Sequence, residues 1–251
     1  MSRKGLKIFV FRPLRDIRVQ KVLVPEKNHG SAKEWYLRCL FIRYNPNMMN
    51  ADYRLLTLPD VEQASRVIAD AFIDDPLISF MLPIKKTRIS TLIKFFRIYG
   101  EINIKSRRGY GVGEPLQGVA FWKFPEHESL SISIKSLTKF LPLLFTMYPI
   151  GYFRARGILR QLEYFHTKYA SEPHFYLDNL AVLASARGQG LSSKLIRPFL
   201  AMADEQKVIT YTDTVTPANV PLYEHFGFQC VEQSDIPGTG ITIYALRRPA
   251  A

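Results

Sequence analysis

Cysteine is scarce in this chain. Only two cysteines, Cys39 and Cys230, occur in 251 residues. This number excludes a small protein framed by disulfides and a zinc site built from cysteines alone. A reducing compartment is the simplest interpretation of such low cysteine usage, so we expect the protein to be cytoplasmic. We expect Cys230, two residues after Phe228, to be a core thiol on the same strand face.

A long hydrophobic run is also missing. The longest uncharged apolar stretch, FLPLLFTMYPIGYF at 140–153, contains two prolines and a glycine. A membrane span needs roughly 20 apolar residues, so this stretch favours a buried, kinked helix or a hydrophobic lid, and no transmembrane segment is expected. The apolar patch at 8–11 is interrupted by Arg12, which makes a secretory signal unconvincing.

Basic residues are unevenly distributed. Residues 1–50 hold 11 lysines and arginines against 3 aspartates and glutamates, whereas residues 51–251 hold 23 against 19. The larger part is only mildly basic, so we expect it to bind no nucleic acid. Residues 1–48 show neither a strand nor a helix period. A basic tail, an organelle-targeting segment and sequence upstream of a start at Met48 or Met49 remain open. We expect residues 1–50 to be a poorly ordered basic extension.

Regular patterns begin after this extension and predict one α/β domain over 51–251. A hairpin is predicted between 108–112 and the strand that starts at Gly118, and a mostly helical insertion is predicted over 131–170. One helix should begin after Asp60 and end at Asp75-Pro76, and another should place Leu191, Leu195, Phe199 and Met202 on one face. Further helices are predicted over 87–99 and 219–226. Strands are predicted over 53–58, 118–122, 175–183, 208–214, 228–231 and 241–245. Strands that alternate with helices and include antiparallel pieces indicate a mixed α/β fold.

The most informative segment runs from a strand through a glycine turn into a helix. Leu180-Ala181-Val182 ends the strand, and RGQGLSSK follows at 187–194. Glycines let the backbone approach a ligand closely, and the N–H groups of a helix start favour phosphate. The pattern therefore predicts an anion site. It fits neither a Walker loop, because Lys194 follows Ser193, nor a Rossmann fingerprint, because Ser193 replaces the third glycine.

This segment resembles the signature of the GNAT superfamily of acetyl-CoA-dependent N-acetyltransferases. The signature Q/R-x-x-G-x-G/A reads Arg187-Gly188-Gln189-Gly190-Leu191-Ser192 here, with serine in the last position. HFYLDNLAV at 174–182, LIRPFLAMADEQ at 195–206 and TPANVPLYEHFGF at 216–228 look most like puromycin N-acetyltransferase-like members. The resemblance is close over about 174–230 and loose over 53–125.

The resemblance implies a mixed, twisted, mostly antiparallel sheet flanked by helices and splayed at the cofactor-binding strand. It implies an acyltransferase that moves an acetyl group from acetyl-CoA, a co-substrate, to an amine by direct attack. Asn219 would contact the cofactor, Tyr223 would protonate the departing thiolate, and Arg187 would add charge near the phosphates. The backbone of Leu180, Ala181 and Val182 would pair with pantetheine. The turn amides that would cradle the pyrophosphate are those of Gly188, Gln189, Gly190, Leu191, Ser192 and Ser193.

The reaction also needs a base to take a proton from the ammonium. Asp213, at the end of the strand before Asn219, ranks first, and Asp178 on the cofactor strand ranks second. For either carboxylate, capping of a neighbouring turn is an equally open interpretation. The histidines show no metal-ligand spacing, so no metal is expected.

The expected acceptor is a small-molecule amine with apolar surface, because the 131–170 insertion is rich in Phe, Leu and Tyr. A monomer and a homodimer both fit the sequence. One alternative is a catalytically degenerate module that binds acyl-CoA as a sensor or interaction partner. Another is a basic adaptor whose extension binds nucleic acid or an anionic membrane.

Overall fold

A computed structural model describes residues 53–125 and 150–251. The predicted extension at 1–50 and residues 131–149 of the predicted insertion lie outside these ranges. Within them, seven strands form one sheet in the order β1-β2-β3-β4-β5-β7-β6. The strands are β1 (Arg54–Leu55), β2 (Gly109–Val112), β3 (Gly118–Lys123), β4 (His174–Val182), β5 (Ile209–Thr214), β6 (Gln229–Ile236) and β7 (Ile241–Arg248).

Neighbouring strands are antiparallel except for β4 and β5, which are parallel. The predicted hairpin is present, with Val112 opposite Gly118 at its closed end. The predicted fold class, a mixed and mostly antiparallel sheet flanked by helices, is therefore confirmed. The helices are α1 (Val61–Phe72), α2 (Pro76–Met81), α3 (Lys85–Lys105), α4 (Ile150–Tyr169), α5 (Leu191–Glu205) and α6 (Val220–His225).

Side-chain alternation along the strands separates two faces of the sheet. Val119 and Phe121 pack with α1 and α3, and Tyr176 packs with α4; we call this the front face. Ala120, Trp122, Phe175 and Leu177 pack with α5 and α6 on the opposite face, which we call the rear face. Such alternation is the period of two expected for strands buried on both sides.

Helix α5 anchors the rear face as its sequence pattern predicts. Leu195 and Phe199 are fully buried, with the indole of Trp122 stacked on the ring of Phe199 at 4.9 Å between centroids. The indole Nε1 donates to the carbonyl oxygen of Leu195 at 3.1 Å. Truncating a core side chain such as Phe199 to alanine typically costs about 3–5 kcal/mol of stability. This packing fixes the start of α5 relative to β4.

The prediction for Cys230 is wrong, because this thiol is exposed. Cys230 does lie opposite the buried Leu246, but β6 is the edge strand of the sheet, and the thiol is left uncovered there. Among the residues that the structure describes, no helix has the length and apolar character that crossing a membrane requires.

Candidate functional site

The sheet opens between its two parallel strands. β4 and β5 pair at only three positions, His174 with Ile209, Phe175 with Thr210 and Tyr176 with Tyr211. Both strands continue further, to Val182 and Thr214. Just beyond the last pair, the Thr212 hydroxyl donates to the carbonyl oxygen of Leu177 at 3.0 Å. A gap therefore separates the carboxyl ends of β4 and β5.

The β4 side of the gap presents backbone groups. The N–H of Leu183 donates to the carbonyl oxygen of Gln117 at 2.9 Å, and Ala181 lies opposite Val119 on β3. Hydrogen bonding alternates along an antiparallel strand, so the N–H and C=O groups of Leu180 and Val182 point away from β3 and into the gap. Two of the three positions predicted to pair with pantetheine thus expose a strand edge there.

The gap ends at the glycine turn. Gly188 and Gly190 have φ angles of +79° and +74°, a left-handed backbone that other residues rarely adopt. A Cβ at either position would meet no atom within 4 Å, so the turn needs glycine for its backbone conformation and has open space beside it. Arg187 and Gln189 are exposed beside the two glycines.

Helix α5 starts directly after this turn, with Gly190 as its N-cap. Leu191, Ser192 and Ser193 are its first residues, and the first N–H groups of a helix have no acceptor within it. Leu191 is buried and the two serines are half-buried. These backbone donors lie at the positive end of the helix dipole. The predicted pyrophosphate residues 188–193 therefore form one turn whose donors and open space fit a polyanion.

The β5 side of the gap presents side chains instead. Tyr223 on α6 is 6% exposed and lies behind β5, against the rear face. Burial raises the pKa of Tyr223 to about 12, opposed by a side-chain hydrogen bond with Thr212. The phenol therefore keeps its proton at neutral pH. Asn219 is half-buried in the turn before α6, and its Nδ2 donates to the Thr214 hydroxyl at 3.2 Å.

Asp213 lies on the opposite face of β5 from Tyr223. Its neighbour Thr212 bonds Tyr223 at the rear, so strand alternation places Asp213 at the front. The Tyr176 hydroxyl donates to Oδ2 of Asp213 at 3.3 Å. The two predicted catalytic side chains thus flank the gap from opposite faces of the sheet. A proton can be accepted on one face and donated on the other.

Asp178 has an environment different from that of Asp213. Its side chain is 7% exposed, and Nζ of Lys123 lies 3.0 Å from its Oδ1. The Tyr99 hydroxyl and the Asn179 amide, the latter at 2.9 Å, both donate to its Oδ2. Burial and the adjacent Asp178 carboxylate hold the pKa of Tyr99 well above its usual range. Asp178 thus forms an ion pair with Lys123, which argues against Asp178 as the base, the role for which it ranked second after Asp213.

Sequence reasoning missed Lys123, Tyr99 and Tyr176 as parts of this site. The one signal available for Lys123 was a charge at the end of the otherwise apolar strand GVAFWK. Groups of three or more His, Cys, Asp or Glu side chains, as a metal would need, do not form within 53–125 and 150–251.

Comparison with known proteins agrees with this geometry. Residues 149–230 match the family of acetyltransferase (GNAT) domains. The matched segment contains β4, the glycine turn, Asp213, Asn219 and Tyr223.

The fold is similar to those of several solved acetyltransferases. A structure titled histone acetyltransferase HPA2 and related acetyltransferase, from Corynebacterium glutamicum, superposes with a TM-score of 0.55 at 21% identity, covering 80% of this chain and 96% of the other. Arylalkylamine N-acetyltransferase 2 from Aedes aegypti gives a TM-score of 0.53 at 12% identity, with 79% and 98% covered. The polyamine N-acetyltransferase of Drosophila melanogaster gives 0.50 at 11%, with 78% and 98% covered. At such identities the likeness shows the fold.

Proposed function

We propose that this chain is an acetyltransferase that moves the acetyl group of acetyl-CoA to the amine of a small-molecule acceptor. The observation that carries the proposal is the gap between β4 and β5, which leads directly into the left-handed glycine turn at the start of α5. The match of residues 149–230 to acetyltransferase (GNAT) domains supports it. We also propose that the chain is related to puromycin N-acetyltransferase-like members, and this part of the proposal rests on sequence segments alone.

Backbone atoms of this chain would hold the cofactor. The gap-facing groups of Leu180 and Val182 suit the amide-bearing pantetheine arm, which would add to β4 like a further strand, with Ala181 between them. The N–H groups of 188–193 suit the pyrophosphate, with Arg187 as an added positive charge and Asn219 across the gap. When bound, acetyl-CoA supplies the activated acetyl group as a thioester.

The side chains that flank the gap would manage the protons. Asp213 takes a proton from the acceptor's ammonium, which leaves a neutral nitrogen able to form the new N–C bond. As the C–S bond breaks, the electron pair leaves with the sulfur. Tyr223 is protonated at neutral pH, so its O–H can donate to that sulfur. The nitrogen would lose a second proton as the amide forms. Asp213 would pass each proton to solvent in turn, and Tyr223 would regain its own from solvent, so one proton is released overall for each amide and thiol formed.

We take a small amine as the acceptor class. Among the proteins with a similar fold, two are titled as arylalkylamine and polyamine acetyltransferases, and Asp213 provides a negative charge that would attract such cations. A panel with one arylalkylamine and one polyamine therefore forms the first acceptor screen. We also propose that residues 51–251 act as the catalytic domain and that the protein works in the cytoplasm.

The first test is calorimetric binding of acetyl-CoA to the full chain and to Gly190→Glu. The variant places a carboxylate beside the phosphates, and juxtaposed like charges cost several kcal/mol, so binding should weaken by at least about 100-fold. Gly238→Glu is the matched control, because Gly238 has φ +73° and open space but lies in the β6–β7 turn. It should bind as the wild type does.

A folded full chain that binds no acetyl-CoA would contradict the proposal. Equal binding by Gly190→Glu and the wild type would instead remove the glycine turn from it. Tight binding without turnover of any amine would favour the degenerate acyl-CoA-binding module.

A further inference from the structure

A β-bulge lies at the mouth of the gap. On β3, Phe121 pairs with Asn179 and Trp122 pairs with Leu177, so Asp178 is an extra residue on β4. The last β4–β5 pair is Tyr176 with Tyr211, and Asp178 and Asp213 each follow their strand's member of that pair by two positions. Both therefore lie on the front face just beyond the last pair. Bulges of this kind redirect a strand and its side chains beside active sites.

One ammonium group connects the two sides of this mouth. Nζ of Lys123 lies 3.0 Å from Oδ1 of Asp178 and 5.1 Å from the centre of the Tyr176 ring. The hydroxyl of that same tyrosine donates to Asp213. Lys123 thus contacts the bulged residue directly and reaches the candidate base through a single side chain.

This ion pair is costly to bury. The side chains of Lys123 and Asp178 are 15% and 7% exposed, and removing two charges from water can cost more than their attraction returns. An apolar pair of similar volume would often stabilise the fold equally well or better. A role in geometry accounts better than stability for a charged pair at this position.

We propose that Lys123 is a positioning residue of the acetyl-transfer site. Its ammonium fixes the bulged Asp178, and with it the β4 backbone where the gap opens, and holds the Tyr176 ring that orients Asp213. By neutralising Asp178, it also leaves Asp213 as the carboxylate that receives the proton. This inference rests on the proposed function.

The test compares Lys123→Met, Lys123→Arg and the double variant Lys123→Met/Asp178→Asn in the full chain. Steady-state kinetics would use an amine that the wild type acetylates, with acetyl-CoA affinity measured by calorimetry. Lys123→Met should lower kcat by about 100-fold, the cost of slight misplacement of reacting groups. Acetyl-CoA affinity should change much less, because the glycine turn is untouched. Its kcat/KM profile should shift to higher pH on the acid side, because an unneutralised Asp178 raises the pKa of a nearby carboxyl group.

The other two variants separate geometry from charge. Lys123→Arg should recover most of kcat, because a guanidinium also binds a carboxylate. The double variant should keep the kcat loss but regain the wild-type pH profile. Because it buries no unpaired charge, the double variant carries the comparison if Lys123→Met fails to fold.

Arg248→Met is the matched control. Arg248 forms a half-buried ion pair with Asp204 and lies opposite Thr210, at the end of β5 away from the gap. Its loss should lower the melting temperature and leave kcat unchanged. A wild-type kcat in Lys123→Met, or in the double variant, would overturn the inference. A wild type without acetyl-CoA binding would instead defeat the proposed function.

Discussion

The two sides of the gap present different kinds of atoms. On the β4 side, the groups that face the gap are main-chain donors and acceptors at Leu180 and Val182, followed by the amides of the glycine turn. On the β5 side they are the side chains of Asp213 and Tyr223 and the Thr214–Asn219 contact. The difference supports the proposal that one side would hold the cofactor through its backbone and the other would transfer protons through its side chains.

This separation predicts that the property a substitution alters depends on the side of the gap where it lies. Changes on the β4 side should alter acetyl-CoA affinity, as proposed above for Gly190→Glu, and changes on the β5 side should alter kcat. Lys123 is the exception that sharpens the comparison. It contacts Asp178 and Tyr176 on β4, and the Tyr176 hydroxyl donates to Asp213 on β5.

The largest effect on kcat is expected from Asp213→Asn. An amide cannot accept the proton, and loss of a general base typically costs about 10²–10⁴ in rate. Acetyl-CoA affinity should stay unchanged, as calorimetry on the same preparation would check. Asp235→Asn serves as the control, because Asp235 is an exposed residue of β6 whose carboxylate accepts from the Thr242 hydroxyl on β7. If Asp213→Asn weakened acetyl-CoA binding and left kcat intact, the division between the two sides would be wrong.

A smaller loss is expected from Tyr223→Phe. Removing the hydroxyl takes away the donor for the leaving sulfur, and water can replace it in part, so kcat should fall by about tenfold or more. Tyr110→Phe is the matched control. Tyr110 lies on β2, away from the gap, and its hydroxyl donates to the carbonyl oxygen of Arg107. An unchanged kcat in Tyr223→Phe would remove this residue from the chemistry.

The third prediction concerns stability at alkaline pH rather than rate. The pKa of Tyr223 is about 12 in the folded chain against an ordinary value of 10.0. The folded state holds this proton more tightly than the unfolded chain does. The contribution of Tyr223 to the free energy of unfolding is therefore complete below pH 10 and is lost as pH rises toward 12. The full difference is about 3 kcal/mol.

Urea unfolding at pH 8 and at pH 11 would measure this loss in the wild type and in Tyr223→Phe. The variant should lose less stability between the two values, because it lacks the titrating phenol. Tyr99, whose pKa is also raised, is present in both proteins, so the difference isolates Tyr223. Parallel declines would show that the Tyr223 phenol does not titrate as its burial implies.

Much of the fold follows from local patterns in the sequence. The apolar run at Gly118–Lys123 and the spacing of Leu195 and Phe199 gave strand and helix correctly, because each pattern is imposed by burial on neighbouring layers. Helix α2 was missed because Asp75-Pro76 looked like a terminator. In the structure the Asp75 carboxylate accepts from the N–H groups of Leu77 and Ile78, and Pro76 occupies the first helical position.

The candidate site divides in the same way. The glycine turn could be predicted because its residues are consecutive in the chain and their left-handed backbone needs glycine. The polar cluster around Asp178 could not, because Tyr99 lies 79 residues before it in the chain. Tyr176 and Asp213 are likewise separated by 37 residues, and they meet only because β4 and β5 run parallel side by side. No local pattern encodes that encounter.

The main-chain character of the β4 edge has a practical consequence for mutational mapping. An alanine scan across 180–182 would leave every gap-facing N–H and C=O group in place. The scan would therefore hardly change acetyl-CoA affinity, even though we assign this part of the chain to the cofactor. Only substitutions that change the backbone itself, such as proline at Leu180 or Val182, would expose it. A binding surface of this kind tolerates side-chain substitutions as long as the backbone keeps its conformation.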